Sequence, residues 1–103
     1  MRQFDVYQNP SERWRAIAPL VGVLQSHLLP KTPTVIVAPL LIDDGISAYS
    51  DASVRLSFEG RQYILSALEL AGIDATALRQ VRGSLTGHED AIRRALDRLF
   101  TGF

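Results

Sequence analysis

Apolar and polar residues alternate in short runs through most of this chain, and only its last stretch changes period. Phe4, Val6 and, more weakly, Arg2 alternate with Gln3, Asp5 and Tyr7, which predicts a first strand over residues 2–8. Asn9, Pro10, Ser11 and Glu12 form a turn cluster, and Trp14 follows between Arg13 and Arg15. Residues 17–29 are strongly apolar and predict a second strand, bent near Pro19 or Gly22. After a turn at 30–33, the continuous apolar run over 34–41 predicts a central strand buried on both faces, with Pro39 near its end. Asp43, Asp44 and Gly45 open a loop to about residue 52 that holds three acids and no base. Val54, Leu56 and Phe58 then alternate with Arg55, Ser57 and Glu59, Glu59-Gly60 makes a tip, and residues 61–65 return as a hairpin. A further short strand is expected over 67–70, a turn over 72–74, and a final strand or irregular segment over 78–85.

From residue 86 the period becomes helical. Ala91, Ile92, Ala95, Leu96, Leu99 and Phe100 form one apolar stripe. Thr86 and Glu89 have the spacing of a capping box. Glu89 and Asp90 suit the positive end of the helix dipole, and Arg93, Arg94 and Arg98 lie towards the negative end. Gly102 is placed to stop the helix. Phe103 remains as a large apolar residue at the free carboxyl end. Chain ends are usually polar and frayed, so residues 99–103 ask for a partner surface. Many short strands with one terminal helix cannot make a parallel βαβ sheet. The fold class expected is mainly β (α+β), an antiparallel barrel or sandwich with a C-terminal helix.

Composition narrows the function. At 103 residues and 47% hydrophobic, the chain makes one domain with its own core, and its small size favours oligomerisation. Lys+Arg and Asp+Glu are both 11, so the basic excess that bulk nucleic-acid binding needs is absent. Without cysteine there is no disulfide, thiolate nucleophile or Cys metal site. The opening residues lack the apolar centre of a secretion signal, and no apolar run reaches a membrane span, so the cytoplasm is expected. His27 and His88 are not at metal-ligand spacing; His88 reads as a solvated surface residue and His27 as partly buried and hydrogen-bonded within an apolar strand. Asp43-Asp44 reads as a turn rather than a carboxylate site. Phosphate loops and nucleophile elbows are missing, so no cofactor, metal or catalytic residue is expected. Trp14 suits either a binding loop or an aromatic covering a hydrophobic rim.

Several stretches in order resemble the CcdB family of bacterial toxins. Gln3-Phe4-Asp5-Val6-Tyr7 is similar to the family's opening Gln-Phe-x-Val-Tyr strand. Residues 20–29 resemble its Val-Gln-Ser-Asp-Leu/Ile-Leu/Ile segment, and residues 35–40 its Val-Val-Ile-Pro-Leu strand. Residues 88–92 through 99–103 resemble its terminal helix with a Phe-Trp-Gly-Ile tail.

The resemblance implies an SH3-like antiparallel barrel with a C-terminal α-helix, assembled as a homodimer. It implies a type II toxin–antitoxin system whose toxin traps the A subunit of DNA gyrase on cleaved DNA and is neutralised by a CcdA-like antitoxin. That mechanism is poisoning, not enzymatic catalysis, with no direct nucleic-acid binding. Carried over residue by residue, Leu28, Leu29, Asp97, Phe100, Thr101, Gly102 and Phe103 fall on the gyrase-facing surface. Gln8, Asn9, Ser11, Glu12, Arg13, Trp14 and Arg15 fall near the antitoxin groove. Thr101 stands where the gyrase poisons carry Trp, and it lacks the aromatic stacking worth about 0.5–1.5 kcal/mol beyond buried area. Two alternatives follow: a CcdB-fold module that only binds antitoxin, and an endoribonuclease on the similar barrel of the MazF/Kid proteins, where a paired Arg and carboxylate would work on RNA.

Overall fold

The alternating runs become strands that pair antiparallel. A computed structural model of the chain describes residues 1–29, 31–45 and 50–102. Among these, the strands are β1 (Asp5–Gln8), β2 (Leu20–Val23), β3 (Thr34–Ile42), β4 (Ser53–Phe58), β5 (Arg61–Ser66), β6 (Ala71–Asp74) and β7 (Val81–Ser84), followed by helix α1 (Glu89–Thr101). Their order is β4-β5-β3-β2-β1-β7, with β6 added on β3. Strand β3 is long enough to serve two neighbours: residues 34–37 pair with β6 and residues 40–42 with β5. Each of those partners covers only part of β3, so the sheet divides there and curls into a half-barrel. Its two ends meet through side chains. The Phe58 ring lies against Gly83, and Arg82 Nη2 donates to Glu59 Oε1 at 2.8 Å.

The concave side holds the main core, in which Val6, Leu40, Leu65, Leu85 and Ile92 are fully buried together with Phe4 and Leu20. Burying each such side chain contributes roughly 1.5–3 kcal/mol. A second cluster on the convex face joins Tyr7, Val21, Val23, Val35, Val37 and Leu78. Alternation explains the division: in β2 and β3, Val21, Val35 and Val37 point one way, and Leu20, Ala38 and Leu40 the other. The mainly β antiparallel fold and its terminal helix are as expected.

Five boundaries differ from the periodicity. The first strand begins at Asp5, because Phe4 sits at φ 71°, outside the strand region. Its N–H donates to Val23 O at 2.7 Å and its carbonyl accepts from Leu85 N–H at 2.8 Å. The second strand is only Leu20–Val23. Beyond it, Leu24 and Gln25 N–H both donate to Ile36 O, at 2.9 and 3.4 Å, while Gln25 Oε1 accepts from Ile36 N–H. A side chain thus replaces the next backbone rung, and the chain leaves the sheet. Residues 67–69 form a 3₁₀ turn rather than a strand, and the expected turn at 72–74 lies within β6. The capping box is not made. Ser84 Oγ accepts from Thr86 N–H, residues 86–88 make a 3₁₀ turn, and α1 starts at Glu89 without a side-chain cap. The C-terminal stop is as expected: Gly102 adopts φ 80° and donates to Arg98 O. The hairpin is as expected too, while the loop at 43–52 and the turn at 30–33 lie partly outside the described residues.

Candidate functional site

The loop between β1 and β2 is built around Asn9. Asn9 is 8% exposed, and its Nδ2 donates to Ala18 O at 2.9 Å. Its Oδ1 accepts from Ser11 N–H at 3.0 Å, and its carbonyl accepts from Arg15 Nε at 2.6 Å. A buried amide with its polar atoms satisfied holds the loop in one shape. Trp14 N–H donates to Ser11 O, and Ala18 N–H to Trp14 O. This winding leaves Glu12, Arg13 and Trp14 exposed. The Arg13 guanidinium lies 5.5 Å from the Trp14 ring centre, a cation–π distance.

Asn9, Ser11 and Trp14 converge on a trough of about 640 Å³. Ile17, Val21, Val37, Pro39, Leu41 and Ile73 supply most of its wall, and Glu69 brings the one carboxylate among the described residues. Leu78 covers the convex face at the end of β3 near Val35, but Pro39 and Leu41 stay only half-buried. The expectation that the third strand is buried on both faces therefore fails at its C-terminal half. Trp14, 52% exposed, stands at the rim of this open apolar surface, which joins the two readings of that residue. Sequence reasoning missed Ile17, Pro39, Leu41 and Ile73. The usable signal was the alternation of 35, 37, 39 and 41, which a continuous apolar run conceals. Gln8 and Arg15 face away, into a second cavity of about 560 Å³ with Arg79 and Arg82.

The expected tail surface is in two parts. Phe100 is 70% exposed, and Asp97, Thr101 and Gly102 are exposed beside it. Thr101 Oγ1 donates to Asp97 O at 2.7 Å, turning its hydroxyl back on the helix. Phe103 lies outside the described residues. Leu28 is 86% exposed and, with Leu29, belongs to the β2–β3 loop, where Ser26 Oγ accepts from Leu28 N–H. Leu29 lines a cavity with Met1, Val23 and Val35 but no residue of α1, so one chain does not gather the two parts into one pocket. His27 is hydrogen-bonded, as expected, but lies exposed in that loop rather than in a strand. Its Nδ1 accepts from Gln3 N–H at 3.3 Å, and Arg2 Nη2 is 3.0 Å from Nε2.

Tyr7 and Asp74 titrate away from their ordinary values. Burial, and then the charge of Asp5, push the Tyr7 phenol up. Hydrogen bonds from the Thr76 hydroxyl and N–H lower the exposed Asp74. Neither residue lines the trough, and no group of His, Asp or Glu able to hold a metal occurs among the described residues. The trough is suited to receive apolar side chains of a partner.

No curated protein matches the chain. Compared with protein families, residues 3–102 match the one described as CcdB protein. That span takes in every strand, the Asn9 loop, the trough, helix α1 and the tail to Gly102. The chain therefore belongs to the CcdB protein family.

Proposed function

We propose that this CcdB-family chain is a cytoplasmic toxin that binds the A subunit of DNA gyrase, traps it on cleaved DNA, and is neutralised by a CcdA-like antitoxin. Family membership supports a CcdB-like toxin and agrees with a non-enzymatic action. The observation that carries the finer reading is the uncovered apolar end of α1, where Phe100 is 70% exposed on the last turn. A large apolar residue held there by a rigid helix is a ready anchor for a protein surface. In this reading Leu28, Leu29, Asp97, Gly102 and Phe103 complete the gyrase surface across a homodimer. The loop residues Gln8, Asn9 and Ser11 to Arg15, with the trough beside them, receive the antitoxin. The test is growth of bacteria on inducing the chain, with gyrase cleavage complexes assayed in vitro. Growth arrest with trapped complexes is expected; neither, from folded protein, would sink the poisoning role.

Thr101 favours a second reading, in which the chain binds antitoxin without poisoning. Its side chain is hydrogen-bonded back to Asp97 O and offers no aromatic face. Thr101→Trp separates the two readings: poisoning gained only with Trp belongs to the second.

A further inference from the structure

Helix α1 and strand β4 enclose a cleft of about 340 Å³ that neither the trough nor the tail uses. Ala91 and Ala95 lie at its helical wall, and Arg94, Arg98 and Arg55 bring three guanidinium groups to it. Arg55 is engaged, with its Nε 3.6 Å from Asp43 Oδ2. On the helix, Glu89 takes Arg93 at 3.4 Å, and the Arg93 guanidinium also lies over the Phe4 ring. Arg94 and Arg98 make no ion pair or side-chain hydrogen bond among the described residues, although Asp90 and Asp97 are on the same helix. Like charges four residues apart on a helix repel. Two free forks, each able to hold a carboxylate at two points, therefore face one cleft.

We propose that this cleft binds an extended acidic peptide segment of a partner protein, with Arg94 and Arg98 each holding one carboxylate. Spacing supports this occupant. Four residues along a helix advance about 6 Å. Alternate residues of an extended chain, which share one face, are about 6.6–6.8 Å apart. Acidic residues at every second position thus match the two arginines in register. Charge argues against the backbone of a nucleic acid: the formal net charge is zero, without the basic excess that neutralising a run of phosphates needs. The proposal does not depend on gyrase poisoning.

The test is fluorescence anisotropy of the whole chain with a labelled peptide alternating Glu and Thr. The comparison ligands are the same peptide with Gln for Glu and an oligothymidylate of equal charge. Arg94→Gln and Arg98→Gln are each expected to weaken binding roughly fivefold, and both together roughly 25-fold. Arg79→Gln, in the cavity beside Gln8 and Arg15, is expected to leave it unchanged. Both arginines are exposed, so an unfolding transition like that of the parent will confirm that the variants fold. The proposal is overturned if the parent does not bind the Glu peptide, if the double variant binds it equally, or if the Gln peptide or oligothymidylate binds as tightly.

Discussion

Gly83 has no side chain because Phe58 occupies the space one would need. A Cβ there would meet the Phe58 ring at 2.8 and 2.9 Å, closer than such contacts occur. Gly83→Ala is expected to cost about 1–3 kcal/mol in urea unfolding, partly recovered when Phe58→Leu is added to the same chain. Strictly additive costs would show instead that the ring simply turns aside. Nothing in the sequence around Gly83 names Phe58 as its neighbour, since the contact is made by curling the sheet. Tyr7 is a second such case: its place next to Asp5 is written in the chain, but its burial against Val21 and Leu78 is not. A phenol whose titration is pushed up favours its neutral form in the folded state. Its contribution is complete below the ordinary phenol value, about 10, and is lost as pH rises through the raised one. The melting temperature should therefore fall above about pH 10, and less steeply in Tyr7→Phe. An identical slope in both proteins would assign the fall to other groups.

Helix α1 carries one apolar stripe with two fates. Ile92 is fully buried in the concave core, whereas Phe100, two turns on, is mostly exposed. Ile92→Ala is expected to cost about 2–5 kcal/mol, and Phe100→Ala to stay within about 0.5 kcal/mol while removing any toxicity. A large stability loss from Phe100→Ala would place that residue in the core instead. The stripe was legible because its period is helical, but its start was not. The Thr-x-x-Glu spacing competes with Ser84 Oγ, which takes the Thr86 N–H, and with Leu85, which is anchored to Phe4. The β4–β5 hairpin was legible for the same reason as the stripe: alternation and a Gly turn are local signals. Strand β6 was not, because Ala-Gly-Ile-Asp has no alternation of its own and extends only by pairing with β3.

At the scale of the molecule, apolar surface is left over. The trough beside Trp14, the Leu28-Leu29 loop and Phe100 are all uncovered in the single chain. A second copy is expected to cover part of this surface, so light scattering at micromolar concentration should give a dimer. A monomer at that concentration would count against the assembly. The antiparallel class and terminal helix could be read from element order. The trough could not, because an apolar run predicts burial but does not show which neighbour fails to arrive.

The bonds of Phe4 also set a timetable for synthesis. Its carbonyl is made early, yet the N–H it accepts belongs to Leu85, and its ring lies under Arg93. At about 5–20 residues per second, a ribosome delivers Leu85 several seconds after Phe4. Through that interval Phe4, Val6 and Leu20 lack the core partners that Leu85 and α1 supply, and they are expected to stay open to chaperones and proteases. A chain arrested on the ribosome before Leu85 has emerged should be cut readily within residues 1–66, and the released protein should resist. Equal resistance would show that the earlier strands fold without their last partners, so that a toxin could take shape before its translation ends.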